Sequence, residues 1–207
     1  MWQPGSGGIA LPMIPSSSFG SAVFIVASMS AAGVAHVLWL KSPYSKAFSQ
    51  PLDLGLSIRG RRLFGAHKML RGLMVMPIAS ALAFALFGSA RTRYPTWLAA
   101  GIWELSAAEY ALLGLACGLA FMLSELPNSF LKRQLDVAPG EISGRWWLKP
   151  LCFVLDRCDS TFGTLLAVAA TLPVSGETWF WVFILGPVSH ALFSALLHRF
   201  GEKARVL

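Results

Sequence analysis

Ser124-Glu125-Leu126-Pro127-Asn128-Ser129-Phe130-Leu131-Lys132-Arg133 follows directly on the apolar run from Ser106 to Leu123. The chain passes there from hydrocarbon to a dense array of acids, hydroxyls and cations. A second array, Asp156-Arg157-Cys158-Asp159-Ser160, lies inside another apolar stretch. Carboxylates in such a place can hold a divalent metal, and neighbouring Lys and Arg can hold phosphate. Phosphoryl and nucleotidyl transfer need that pairing, because positioning and charge neutralisation supply most of the catalysis. Since both arrays border apolar spans, the expected substrate is a lipid phosphate.

The composition agrees with a membrane setting. Hydrophobic residues make up 55% of the 207, charged residues 13%, and mean hydropathy is +0.59. A soluble domain carries roughly 25% charged residues. Crossing a bilayer takes about 20 apolar residues, and five runs qualify: Phe19 to Leu40, Gly72 to Ser89, Ser106 to Leu123, about Leu148 to Leu172, and Thr178 to Leu197. The fourth contains Asp156, Arg157 and Asp159, so its polar end should face protein or water rather than lipid. The predicted fold class is therefore all-α, an integral membrane protein of about five transmembrane helices with its active site in cytoplasmic loops and helix ends. Residues 1–18, rich in Gly, Ser and Pro and without charge, read as a disordered tail ahead of a single domain over 19–207.

Charge sets the expected orientation. Fifteen of the 17 Lys and Arg fall on Lys41 to Arg71, Lys132 to Arg157 and the C-terminal tail, and only Arg91 and Arg93 on the opposite side. The positive-inside rule then puts the N-terminus outside and the C-terminus in the cytoplasm, as in a multi-pass protein of the cell's inner membrane. The net charge of +7 suits anionic lipid surfaces and phosphates. No basic face on a soluble module points to nucleic acid. Cys117, Cys152 and Cys158 lack metal-site or disulfide spacing and read as small packing residues. Trp97, Trp103, Trp179 and Trp181 lie near span ends, where interfacial anchors belong.

Helical geometry sharpens the two arrays. With Ser124 as cap and Pro127 in the first turn, a helix over Glu125 to Asp136 would gather Glu125, Ser129, Lys132, Arg133 and Asp136 within about a 100° arc. Asp156, Asp159 and Ser160, at i, i+3 and i+4, also share a face. Two Asp three residues apart suit Mg²⁺, which usually takes one or two carboxylates; an ordinary helix start favoured by negative charge is the competing explanation. A third element, Gly60 to Gly72, combines turn glycines with Lys68 and Arg71 and can approach an anion, although positive-inside cations alone would also explain it. His36 and His190, inside apolar spans, read as packing residues.

Together these elements resemble the CTP-dependent lipid-phosphate cytidylyltransferases, most closely the CDP-archaeol synthase-like branch, a group related to phosphatidate cytidylyltransferase, which makes CDP-diacylglycerol. The resemblance rests on Gly65-Ala66-His67-Lys68-Met69-Leu70-Arg71-Gly72, on Glu125 to Arg133 and on Asp156 to Ser160, and covers nearly all the chain from about residue 20. His67 and Met69 depart from the Asn and Thr usual beside the Lys. The resemblance implies a five-span enzyme in which a lipid phosphate attacks the α-phosphorus of CTP, giving a CDP-lipid and pyrophosphate. It implies Mg²⁺ on Glu125, Asp136, Asp156 and Asp159, and phosphate contacts from Lys132, Arg133 and Arg157. Asn128 and Ser129 would position a ligand, Ser160 would join in binding substrate or phosphate, and Lys68 and Arg71 would meet the nucleotide or the lipid phosphate. The expected partners are CTP, a membrane lipid phosphate and the bilayer, and a homodimer is compatible with the chain.

Other classes remain on the table at this point. A CDP-alcohol phosphotransferase would need an Asp-Gly-x-x-Ala-Arg element, and a lipid phosphatase a Ser-Gly-His element with a later His; neither is present. A non-catalytic lipid- or nucleotide-binding protein is supported only by the substitutions at His67 and Met69.

Overall fold

An apolar run in a medium without water must close its own backbone hydrogen bonds, and a helix is the simplest way to do so. A computed structural model of the chain describes residues 13–137 and 149–199. Its long helices coincide with the five apolar runs: α1 (Ser18–Lys41), α2 (Leu70–Ser89), α4 (Ala107–Gln134), α5 (Lys149–Thr171) and α6 (Gly176–Arg199), with a short α3 (Thr96–Ala99) before α4. Among the described residues, α1, α2 and α4 are long and apolar enough to cross a membrane. α5 and α6 pack among them.

The helices form a closed ring. α1 packs on α2, α2 on α4, α4 on α5, α5 on α6, and α6 returns to α1. Small residues permit the closest approaches, as they do where lipid-embedded helices gain nothing from the hydrophobic effect. A Cβ on Gly114 would stand 2.3 Å from the Ser80 carbonyl oxygen of α2, and one on Gly118 2.6 Å from the Pro77 Cα. On the other side of α4, a Cβ on Gly163 of α5 would stand 2.4 Å from Ser124 Oγ and 2.6 Å from the Ala120 carbonyl oxygen. Phe24 fills the ring's interior against Phe84 and Tyr110, with centroids 5.4 and 5.9 Å apart.

One end of the ring is closed by short connections. Ser17 caps α1 through the Gly20 N–H and donates its own N–H to Ala100, while Ser16 Oγ reaches the same carbonyl. Ser16 and Ser17 are therefore bonded into the fold ahead of the expected boundary at residue 19, and residues 1–12 of the expected tail lie outside the described residues. Trp103 is not an interfacial anchor: it is buried, and its indole N–H reaches the Pro173 carbonyl at 3.1 Å. Ser106 and Glu109 form a reciprocal capping box at the start of α4.

At the other end, Arg61 bonds both the Gln134 carbonyl and the Asp136 carboxylate, so the segment between α1 and α2 and the segment after α4 lie on one side of the ring. The first of these is largely irregular, as its Pro and Gly content predicts, but it includes a 3₁₀ turn (Pro43–Phe48) and a two-residue hairpin, β1 (Ser57–Ile58) with antiparallel β2 (Arg61–Arg62). Its organiser is Asp53, which is buried. The Asp53 carboxylate accepts from Arg62 and from the backbone N–H groups of Gly55, Phe64 and Gly65. Desolvation works to raise its pKa, but the Arg62 guanidinium and the three N–H groups overcome this and hold it at about 2.

Since that pKa lies below the ordinary 3.8, the stabilisation is complete above about pH 4 and is lost as the pH falls toward 2. Hydrogen-exchange protection of the Phe64 and Gly65 amides, corrected for intrinsic rates, should fade across that window. Asp53→Asn at neutral pH should lower the same protection by about ten- to a hundredfold, because hydrogen bonds to a charged acceptor contribute about 1.5–3 kcal/mol. Protection indifferent to both changes would remove Asp53 as the organiser.

Candidate active site

The α4–α5 approach at Gly163 fixes what meets one and two turns further along. From Ser124 the same face of α4 continues to Asn128 and Lys132; from Gly163 the antiparallel face of α5 continues back to Asp159 and Asp156. Asn128 Nδ2 donates to Asp156 Oδ1 at 2.7 Å and to Asp159 Oδ2 at 2.9 Å. The Lys132 ammonium, mostly buried, meets both oxygens of Asp156. One amide nitrogen thus marks a point where two carboxylates converge.

A second pair adjoins the first. Glu125, a turn before Asn128, takes a salt bridge from Lys68, and both side chains are about three-quarters buried. Glu125 lies close enough to Asp159 and Asp156 to feel their charge, and Lys68 acts on Asp159 in the same way. Lys68 and Glu125 line a cavity of about 400 Å³ inside the helix ring. Arg71 and Ser160 share that lining, and Ile25, Met29, Met76, Phe121 and Val182 give it a largely apolar surface in which Ser30, His36 and Ser189 are also set. Ser160 is buried, with its backbone N–H on Asp159 Oδ1 at 2.7 Å.

Several local expectations need correction. No new helix starts at Ser124: α4 runs unbroken from Ala107 to Gln134, Ser124 Oγ donates to the Phe121 carbonyl within it, and Pro127 lies in its interior. At about 1.5 Å per residue its 28 residues span about 42 Å against about 30 Å of hydrocarbon, so its last turns can carry charge beyond the apolar layer. Asp136 does not share the helical face. It follows the helix end at a φ of 61° and pairs with Arg61. Arg133 has a buried Nε without a hydrogen-bond partner among the described residues. Arg157 belongs to α5, but its side chain lies outside the described residues.

The fit to Mg²⁺ is partial. Among the described residues there is no group of three acids, His or Cys able to share a metal, so the four acids implied by the resemblance are not gathered at one point. The convergence of Asp156 and Asp159 on a single amide nitrogen does fit a cation that needs only one or two protein carboxylates and takes its other ligands from phosphate and water. Two features had no clear signal in the sequence. The role of Asp53 was signalled only by a turn-like Pro51-Leu52-Asp53-Leu54-Gly55, and the place of His36 on the cavity wall by nothing local.

No protein-family model matches this chain, and no curated protein matches it. Among solved structures it is similar to one described as an intramembrane enzyme for archaeal membrane lipid biosynthesis, with a TM-score of 0.59, 19% identity, and alignment over 84% of this chain and 92% of that one. The shared fold and the three apolar helices mark this chain as a membrane protein.

Because Gly163 admits no side chain without moving the Ala120 backbone, Gly163→Val should force α4 and α5 apart. Overpacking of this kind costs about 1–3 kcal/mol, so the thermal midpoint in detergent should drop clearly, with Gly163→Ala between Val and the parent. A Val variant as stable as the parent would disprove the close crossing.

Proposed function

We propose that this protein is a membrane enzyme that transfers a cytidylyl group from CTP to a lipid phosphate. The observation that carries it is the convergence of Asn128, Lys132, Asp156 and Asp159 beside a cavity with Lys68 and Arg71 in its wall and an apolar interior. Such a cavity matches an amphiphile that has a phosphate at one end and hydrocarbon at the other. The fold shared with an intramembrane lipid-biosynthesis enzyme supports the same direction.

In this proposal the protein spans the membrane five times, with the charged end of the ring in the cytoplasm, as the distribution of Lys and Arg favours. Lys68 and Arg71 hold the lipid phosphate at the cavity mouth. Lys132 and Arg133 take the phosphate oxygens of CTP. Asn128 holds Asp156 and Asp159 in their common orientation, and those two carboxylates are where Mg²⁺ would bind, neutralising triphosphate charge. A lipid phosphate oxygen forms its bond to the α-phosphorus of CTP, the bond from that phosphorus to the bridging oxygen breaks, and pyrophosphate departs.

Purified protein in detergent, supplied with labelled CTP, Mg²⁺ and a panel of lipid phosphates, should release pyrophosphate and form a CDP-lipid. Asp159→Asn should lower turnover by at least about a hundredfold, the scale on which removal of a transition-state electrostatic group acts, while the protein keeps its thermal midpoint. No pyrophosphate with any lipid phosphate would defeat the proposal, and activity only with a preformed CDP-lipid and an alcohol would move the protein to the phosphotransferases.

A further inference from the structure

The cavity wall holds a buried polar atom that has no hydrogen-bond partner among the described residues and that the proposed reaction leaves unused. His36 lies on α1, and the α1 residues that line the cavity with it, Met29, Ser30, Gly33 and Leu40, recur at helical spacing on one face. Its Nε2 is buried and has no hydrogen-bond partner among the described residues. A Cβ placed on Gly72 would stand 3.7 Å from that nitrogen, so His36 sits against the first turn of α2, beside Arg71, whose charge acts on it. A buried nitrogen without a partner is costly, and here it borders the space where the lipid must lie. The neighbouring polar groups on this wall are already engaged: Ser30 and Ser189 bond each other at 2.7 Å, and Lys68 is paired with Glu125.

We propose that His36 is a further lipid-binding residue, whose Nε2–H donates to an ester or ether oxygen on the lipid backbone next to the phosphate. This rests on the lipid-phosphate function proposed above and adds a specificity element to it. The order of groups along the cavity supplies the reason. Lys68 and Arg71 meet phosphate, the wall beyond His36 is mostly apolar (Ile25, Met29, Met76 and Val182) with its Ser30, Ser189 and Thr164 hydroxyls bonded within the protein, and His36 stands between them. A lipid phosphate has its backbone oxygens in the corresponding place, between charge and hydrocarbon. An alkyl phosphate offers only methylenes there.

Binding, rather than turnover, tests this without depending on CTP. The full chain in nanodiscs is titrated with two probes, diacylglycerol phosphate and hexadecyl phosphate. His36→Leu removes the orphaned nitrogen, so the fold should be unharmed; it should weaken diacylglycerol phosphate about five- to tenfold, the effect of one neutral hydrogen bond, and leave hexadecyl phosphate unchanged. His36→Gln, which can place an N–H at similar reach, should recover most of the loss. Equal weakening of both probes would make His36 a packing residue, and no weakening of either would also overturn the inference. Both results would leave the proposed reaction standing. A parent protein that binds neither probe would remove the inference and the lipid-phosphate function together.

Discussion

The contact between α4 and α5 at Gly163 is the constraint on which the rest of the site depends. In an apolar medium two helices gain little from hydrophobic burial, so their register is set by how closely their backbones fit and by the polar groups between them. With no side chain at 163, Ser124 and Ala120 come against the α5 backbone. Once that register is fixed, the helical repeat brings Asn128 opposite Asp159 and Lys132 opposite Asp156. α4 is gripped on its other side as well, where Gly114 and Gly118 meet α2. The helix that carries Glu125, Asn128 and Lys132 is thus held on two sides, which suits a site that must hold its groups rigidly.

The ring architecture also explains how so much charge is tolerated. An isolated carboxylate near hydrocarbon is expensive, and the acids near the cavity are matched by cations or amides. Glu125 is paired with Lys68, Asp156 with Lys132, and Asp159 receives Asn128 and the Ser160 N–H. Because the helices pack side to side in a closed circuit rather than around a central helix, space remains inside for an amphiphile. The polar ends of α4 and α5 and the segment before α2 then gather at one rim.

Much of this was legible in the sequence because the signals were long. Five apolar runs gave five long helices whose ends moved by only a residue or two, except that α4 continues eleven residues past Leu123 to Gln134, and i, i+3 and i, i+4 spacing correctly grouped Asp156 with Asp159 and Ser160 on a single face. Short signals failed where a longer one overrode them. Ser124 and Pro127 look like a helix start, yet the apolar run before them continues the helix straight through, and the price falls at its far end, where Asp136 drops out of register and turns to Arg61. Trp103 sits at a span boundary in sequence but is buried, with its indole N–H on Pro173 of the connection between α5 and α6. His36 was assigned to packing since no sequence pattern tells a cavity wall from a helix interface. That distinction requires knowing that five helices close a ring.

The pairing of the charges bears on how a site of this kind could accept an anionic substrate. Lys132 and Lys68 each neutralise an acid in this structure, so neither leaves a bare charge beside the apolar interior. On the proposed function, Lys132 would turn from Asp156 to phosphate oxygens while Asp156 gained a cation, and Lys68 would do the same at the lipid phosphate. Each charged group then trades one opposite charge for another and is never left alone in a poorly solvating environment, where an unpaired charge is far costlier than an exchanged one. An arrangement with free cations waiting at the rim would pull anions more strongly, but it would leave those cations unmatched beside hydrocarbon whenever the cavity held no substrate. Arg71 on the same wall bonds Ser49 rather than an acid among the described residues, but the self-paired Lys68 and Lys132 favour a site that admits phosphate and counter-ion together over one that captures phosphate alone.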